Sequence, residues 1–280
     1  MTKNHGLNGL TDLLNTPDPG LAPFEDGGSN ASSASPGAVL VAPPVLTQVM
    51  YLAETAGTSA INIADINQGQ LGDCFLLSPI GEMALLKPTS ISNMIHVNAN
   101  GTETVMLYEA SNGRLPTWGT TAFKAVYETI NNVFPNYSVD NGATQDVLKG
   151  QKEIWPQVLE KAVATLDGGY GAIANGGSPL IAMEELTGHA ATFMSPASLT
   201  LAALQSFVAA GDLIVMDTLS HGALPNGLFN NHAYMFEGVT GSGSTALAHF
   251  GNPWGFAQPT AMLVSQLSRG FSEVDIGHLS

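Results

Sequence analysis

Hydrophobic residues recur at helical spacing in two segments of the chain. The first segment begins at Cys74, is mostly apolar as far as Leu86 and stops at Lys87–Pro88, which is typical of a helix end. The second begins near Pro156, and its apolar residues lie three and four positions apart as far as Leu166, ahead of a glycine pair. We therefore predict a helix in each segment, with a cysteine at the start of the first.

Further along the chain the pattern changes to short apolar runs. The stretch 199–216 is interrupted by a glycine, so it predicts a helix, a stop and a short strand rather than a membrane span. Two more runs, 232–239 and 246–251, are predicted strands, and the Gly-Ser-Gly-Ser sequence at 241–244 predicts the hairpin turn between them. Residues 88–150 are expected to add strands that the pattern does not position.

The first 45 residues differ from the rest in composition. Pro, Gly, Ser, Asn and Asp recur there without an apolar period, which predicts a flexible tail or a pro-segment over 1–45 and one folded unit over 46–280. No cationic stretch leads into an apolar core, so no cleavable secretory leader is predicted. The sequence does not decide between a cytoplasmic protein and one exported without a leader, and it does not indicate the oligomeric state.

Charge and cysteine content narrow the function classes. Eight Lys and Arg against 23 Asp and Glu give a net charge of −15, so neither nucleic acid nor an anionic membrane is an expected partner. A single cysteine can form neither an intrachain disulfide nor a Cys-rich zinc site. The seven histidines include no His-x-x-x-His pair, which argues against a zinc hydrolase.

Cys74 stands where a glycine-containing loop meets the first predicted helix. The free N–H groups and the helix dipole at that position favour a thiolate over a thiol. The alternative is an inert core cysteine, which is the common state of an isolated cysteine in an apolar sequence. Position alone therefore leaves both interpretations open.

Two further residues favour catalysis. His232 and Asn252 lie ten residues before and ten residues after a turn centred near Ser242, so an antiparallel hairpin sets them across from each other. An Asn amide in that position can hold an imidazole in one tautomer. Cysteine, histidine and asparagine in these settings predict a nucleophilic site.

Three segments resemble, in order, the catalytic segments of the calpain family of cysteine proteases. They are Gln68–Cys74 (QGQLGDC), His232–Tyr234 (HAY) and Asn252–Gly255 (NPWG). The region between them follows the same family pattern, with EIW at 153–155 and EELTG at 184–188. The resemblance extends from about residue 58 to the end of the sequence.

The resemblance implies a papain-like α+β fold in two halves. A helical half, about 46–175, carries the cysteine, and a β-rich half, about 176–280, carries the histidine and asparagine. Cys74 would be the nucleophile, His232 the base and later the acid, and Asn252 the residue that orients the histidine.

Three more roles follow from the same resemblance. Gln68 matches the side chain of the oxyanion hole, which acts with the backbone N–H of the cysteine. Trp254 matches the tryptophan that shields the His–Asn hydrogen bond from water. Gly177 matches a glycine that lets substrate backbone approach closely, since it has no side chain.

The chain departs from the family pattern at three positions near these residues. Phe75 replaces the usual Trp after the cysteine, which keeps an aromatic wall but loses an indole donor. Asn231 replaces a glycine before the histidine and is expected to narrow the cleft. Pro79 lies inside the cysteine helix and is expected to kink it.

The resemblance also raises the question of calcium. Asp65 and Glu153 match the two acidic ligands of one family calcium site, although calcium needs six to eight oxygen ligands. Calcium is therefore expected only as a structural activator, and no cofactor is expected for the chemistry. The acidic loop of the second family site is not found after Trp254, and no EF-hand pattern appears. The chain resembles a compact, microbial protease core.

The sequence predicts a calpain-like cysteine endopeptidase that acts on protein or peptide substrates through a thioester. One alternative is a transamidase, deamidase or acyltransferase on the same scaffold, because all of these share the thioester intermediate. The other is a non-catalytic binding module that has kept the fold, which Asn231 and Pro79 would favour.

Overall fold

The computed structural model of the chain describes residues 47–52, 59–139, 145–146 and 150–279. The tail predicted over 1–45 lies outside these residues. The helices are α1 Cys74–Leu86, α2 Pro88–Met94, α3 Trp155–Asp167, α4 Tyr170–Ile173, α5 Pro179–Thr187 and α6 Leu201–Ala210. The strands are β1 Thr47–Val49, β2 Ile95–Val97, β3 Thr102–Ala110, β4 Phe123–Asn131, β5 Gln145–Asp146, β6 Gln151–Glu153, β7 Thr192–Met194, β8 Leu213–Thr218, β9 Ala233–Thr240, β10 Leu247–Gly251, β11 Met262–Leu263 and β12 Phe271–Gly277.

Both helices predicted from apolar spacing are confirmed. Helix α1 begins at Cys74, and its residues are buried as far as Ala84, because it lies at the centre of the fold. Helix α3 begins one residue before the predicted start, at Trp155, and ends where Gly168 adopts a φ of 103°, a conformation that glycine accepts without strain. The predicted helix, stop and strand over 199–216 are confirmed as α6, Gly211 and β8.

The strands of the described residues form three sheets. The largest has the strand order β11-β10-β9-β8-β12-β7 and is antiparallel throughout. A second antiparallel sheet has the order β2-β3-β4, which confirms strands within 88–150, and a small sheet has the order β1-β6-β5. The predicted α+β class is thus confirmed. No helix in the described part of the chain is long and apolar enough to span a bilayer.

The hairpin formed by β9 and β10 has a longer turn than the sequence predicts. Thr240 pairs with Leu247, which places the centre of the hairpin between residues 243 and 244 rather than at Ser242. The connection over 241–246 includes a 3₁₀ turn at Gly243–Thr245, so it needs two residues more than the predicted Gly-Ser-Gly-Ser turn.

The predicted ten-and-ten symmetry of His232 and Asn252 about the turn is therefore wrong. A β-bulge in β9, where Glu237 is the extra residue between the Gly238–His249 and Phe236–Phe250 pairs, shifts the pairing by one residue, so that Gly251 lies opposite Met235 and the next residue would face 234. His232 precedes β9 and Asn252 follows β10. Their side chains still meet, because both extend from the same end of the hairpin.

Helix α1 packs directly on β8 and β9 of the large sheet. The buried carboxyl group of Glu82 accepts hydrogen bonds from the backbone N–H groups of Ile214 (3.3 Å) and Phe236. One turn earlier, Ser78 Oγ donates to the carbonyl oxygen of Ala233 (3.0 Å). The helix that begins with the cysteine is thus tied to the strand that follows the histidine.

Candidate active site

A cavity of about 440 Å³, counting its open mouth, lies between α1 and the large sheet. Cys74 lines it from the first residue of α1, and His232 lines it from the residue before β9. The other residues that line it are Gly72, Phe75, Gly176, Gly177, Asp217, Thr218, Asn231 and Ala233. Two segments 158 residues apart in sequence therefore meet at one cavity.

The loop before Cys74 is held by backbone pairing. Gly72 N–H donates to the carbonyl oxygen of Ala174, and Gly176 N–H donates to that of Gly72, both at 2.8 Å. A Cβ atom at Gly72 would lie 2.9 Å from the Ala174 oxygen, so this approach requires a glycine. The pairing fixes the thiol at the helix N-terminus, where the dipole favours a thiolate.

Thr218 at the end of β8 holds the backbone of His232. Its Oγ1 accepts a hydrogen bond from His232 N–H (2.9 Å), and its own N–H donates to the carbonyl oxygen of His232 (3.0 Å). On the side-chain side, His232 Nε2 lies 2.8 Å from Asn252 Oδ1, and the histidine is buried. Because the amide oxygen is an acceptor, Nε2 carries a proton in this contact.

Asn252 is itself held in place. Its Oδ1 also accepts from Trp254 N–H (3.0 Å), and its backbone N–H donates to Gln258 Oε1 (2.7 Å). The imidazole therefore contacts an acceptor that the following turn has already oriented.

Aromatic rings enclose the His–Asn pair. The ring centroid of Trp254 lies 4.5 Å from that of His232, and the Phe229 ring lies 4.6 Å from Trp254 on the way to the surface. Phe256 stacks on Trp254 at 5.7 Å and is 64% exposed, so an aromatic surface continues from the histidine into solvent.

Asn231 has a backbone φ of 50°, in the left-handed region. Glycine adopts this conformation freely, and asparagine is among the few other residues that tolerate it. The position thus requires Gly or Asn for its backbone, which explains why Asn can stand where a glycine is expected. Its side chain donates to Ser220 O (3.2 Å) and its residue lines the cavity.

Gly177 has a packing reason to be glycine. A Cβ atom there would lie 2.4 Å from the ring of Phe75, which also lines the cavity. The pair forms one wall of the cavity, and the close approach of substrate backbone predicted for Gly177 stays a prediction.

Gln68 faces its own loop. Its Nε2 donates to Leu71 O (2.6 Å). Its backbone N–H donates to Pro253 O (2.8 Å), which joins the cysteine loop to the asparagine turn. Gln68 is not among the residues that line the cavity.

Two buried carboxyl groups lie behind the cysteine. Burial and the neighbouring Glu160 raise the pKa of Asp73 well above its usual range, and burial raises the pKa of Glu160 to about 7. Glu160 Oε1 accepts a hydrogen bond from Val139 N–H (2.8 Å), which holds the Glu160 side chain in place beside Asp73. A protonated Asp73 places no negative charge beside Cys74 and so does not oppose the thiolate.

Asp65 and Glu153, the residues expected to bind calcium, are both fully buried away from the cavity lining. Asp65 accepts hydrogen bonds from Trp155 Nε1 (3.0 Å) and from the backbone and side-chain N–H groups of Asn62 (2.8 and 3.0 Å). Glu153 Oε1 accepts from Leu52 N–H (2.7 Å). Calcium binding here stays a prediction.

Sequence analysis missed several residues of the site. Thr218 and Asp217 close β8, and the only signal for them was a polar pair that ends an apolar run. Phe229 and Phe256 gave no signal, because aromatic residues in loops follow no period. The buried carboxyl groups of Asp73 and Glu160 come from positions 87 residues apart, which only the fold brings together.

The central helix with a cysteine at its N-terminus, packed on an antiparallel sheet that carries histidine and asparagine, defines the papain-like α+β fold. The sequence model of the family described as "Calpain family cysteine protease" matches residues 50–269. The chain belongs to the calpain family of cysteine proteases.

Individual relatives agree with this assignment. The chain is 27% identical over 255 residues to "Calpain clp-4" of Caenorhabditis elegans, which covers 86% of this chain and 32% of that protein. It is 29% identical to "Calpain-9" of Homo sapiens and 30% identical to "Calpain-9" of Rattus norvegicus, each over 68% of this chain and 28% of the relative. The chain thus spans about a third or less of the length of these relatives.

Proposed function

We propose that the chain is a cysteine endopeptidase that hydrolyses peptide bonds in proteins or peptides through Cys74, His232 and Asn252. The observation that carries this proposal is the contact of His232 Nε2 with Asn252 Oδ1 at 2.8 Å, beside a cavity that Cys74 also lines. In that contact Nε2 carries the proton, so Nδ1 is the nitrogen that would accept the proton of the thiol.

The steps follow from these positions. The imidazole takes the thiol proton, and the Cys74 thiolate attacks the peptide carbonyl carbon to form a tetrahedral intermediate. The imidazolium then protonates the leaving amine as the C–N bond breaks, which leaves a thioester. A water molecule, deprotonated by His232, attacks the thioester, and the thiolate leaves as the carboxylic acid product forms.

The oxyanion would be stabilised by the N–H of Cys74 at the helix N-terminus and by the Gln68 amide. An oxyanion-hole donor contributes about 3–4 kcal/mol to lowering the barrier. Gln68 Nε2 has two N–H donors and gives one of them to Leu71 O, so the second would serve the oxyanion. Trp254 and Phe229 would keep water from the His–Asn hydrogen bond.

The test is cleavage of casein and of a peptide library by wild type and by Cys74→Ala, with Ser78→Ala as a matched control on the same helix. Mass spectrometry of the products is expected to show hydrolysed peptide bonds with wild type and Ser78→Ala and none with Cys74→Ala. Equal cleavage by all three proteins would refute the proposal. Products with intact bonds and modified side chains would assign the transfer chemistry of the alternative instead.

Calcium enters this proposal only as a structural activator held by Asp65 and Glu153, because thiol chemistry itself needs no metal. The two carboxyl groups supply part of a calcium ligand set, and carbonyls and water would have to supply the rest. Three N–H donors already face Asp65, so an ion would share that carboxylate with them. A calcium-dependent rise of Tm in wild type that Asp65→Asn loses would support the site, and the same Tm with calcium and with chelator would refute it.

A further inference from the structure

Three carboxyl groups outside the proposed triad meet on one face of the large sheet. Asp217 closes β8, and Glu273 and Asp275 alternate along β12, where Glu273 pairs with Asp217 and Asp275 pairs with Val215. One carboxyl oxygen from each of the three lies within 4.8 Å of the others. We call these three residues the acidic cluster.

The acidic cluster adjoins the cavity that Cys74 and His232 line. Asp217 lines that cavity together with Cys74 and His232, and it precedes the threonine that holds the histidine backbone. Asp275 lies behind Asp217 with no solvent exposure, and Glu273 is half-buried. A group that enters from the cavity therefore meets Asp217 first.

The cluster has no cation of its own among the described residues. Both oxygens of Asp275 are buried, and no described donor outside the cluster forms a hydrogen bond to them. Burial first, and then the neighbouring carboxyl groups, raise the pKa of Asp275 well above its usual range, and burial and Glu273 raise that of Asp217 to about 8. Buried carboxyl groups of this kind are ordinarily paired, so these oxygens point to a ligand that brings the positive charge.

We propose that the acidic cluster is a specificity pocket that binds a lysine or arginine side chain of the substrate next to the scissile bond. The inference rests on the proposed function, because it concerns the peptide that Cys74 would cleave. A guanidinium or ammonium group supplies up to five or three N–H donors, which match the carboxyl oxygens of the cluster. On binding, the cation displaces the protons that the buried carboxyl groups hold.

A divalent cation is the competing occupant, since three carboxyl groups at this separation could also ligate a metal. Calcium requires six to eight oxygen ligands, whereas a basic side chain needs only acceptors for its N–H donors. Asp217 of the cluster lines the cavity that Cys74 also lines, which is where a substrate side chain would arrive. The observations therefore favour the side chain.

The experiment compares kcat/KM for matched fluorogenic peptides that differ only in Arg, Lys, norleucine or Glu at each position flanking the cut. Wild type is expected to prefer Arg or Lys over norleucine at one position by roughly 10- to 100-fold, because a site built for polar groups strongly disfavours analogues that leave them unpaired. Asp275→Asn and Asp217→Asn are expected to reduce this ratio at least tenfold. Glu109→Gln, which alters a carboxylate paired with Lys124 on another sheet, is expected to leave it unchanged.

Each outcome has a separate meaning. Wild-type protein that cleaves basic and neutral peptides equally would overturn this inference and leave the proposed function intact, whereas protein that cleaves no peptide would overturn the proposed function. A preference that chelator abolishes and added calcium restores would assign the cluster to a metal and overturn the inference. The wild-type series needs no variant, so the test holds even if one substitution prevents folding.

Discussion

Replacing Asn252 with alanine tests how much the orientation of His232 contributes. The substitution removes the acceptor that lies 2.8 Å from Nε2 and also the acceptor for Trp254 N–H. A hydrogen bond to a charged partner contributes about 1.5–3 kcal/mol, and the imidazolium is the charged form in the transition state. At about 1.4 kcal/mol per tenfold change, kcat/KM is expected to fall by roughly 10- to 150-fold.

The assay is steady-state hydrolysis of one cleaved peptide, with Tm measured on the same samples. Asn230→Ala is the matched control, because Asn230 lies in the loop before the histidine and its Nδ2 donates to Leu219 O (3.0 Å) without contacting the imidazole. We expect that control to lose stability but keep kcat/KM within about twofold. An Asn252→Ala protein that stays folded and matches the control in kcat/KM would refute the reasoning.

Three further predictions follow from the packing. Glu82→Gln leaves one of two buried N–H groups facing an amide NH₂, so urea unfolding should show a loss of about 1–3 kcal/mol. The loss should be less than about 1 kcal/mol for Glu109→Gln, whose ion-pair partner Lys124 is half-exposed; equal losses would contradict this. Gly177→Ala should displace the Phe75 ring, raise KM and lower the free energy of unfolding by about 1–3 kcal/mol. An unchanged KM together with an unchanged free energy of unfolding would contradict this prediction. Burial raises the pKa of Glu184 to about 7 and that of Glu185 to about 9, so the native state holds protons that the unfolded chain loses above pH 4–5. The free energy of unfolding should therefore fall as pH rises from 5 to 9, by about 1.4 kcal/mol per pH unit for each proton that only the native state holds. A rise of the free energy of unfolding over this range would contradict the prediction.

The helices were predictable because apolar spacing records which face is buried. Helix α1 and helix α3 begin within one residue of their predicted starts. Helix α3 ends at Gly168, because glycine can adopt the left-handed backbone conformation found there. The hairpin register was not predictable, because the extra turn residues and the β-bulge at Glu237 in β9 depend on pairing energies that no residue type signals.

The residues of the candidate site divide in the same way. Cys74, His232 and Asn252 could be predicted because each has a recognisable local sequence. The direction of the Gln68 amide could not, because it depends on the carbonyl of Leu71 in the folded loop. The acidic cluster could not be predicted, since Asp217 meets Glu273 and Asp275 through strand pairing across 56 residues.

The attachment of α1 to the sheet has a mechanical consequence. Glu82 and Ser78 fasten the helix at two successive turns, and a Cβ atom at Gly81 between them would lie 2.1 Å from the sulfur of Met235, so no gap separates the two surfaces. A rigid-body rotation of the helical half against the β-rich half would break the Glu82 and Ser78 hydrogen bonds at the same time. The distance between the Cys74 sulfur and the His232 imidazole should therefore stay constant, and substrates should enter by movement of the loops around the cavity.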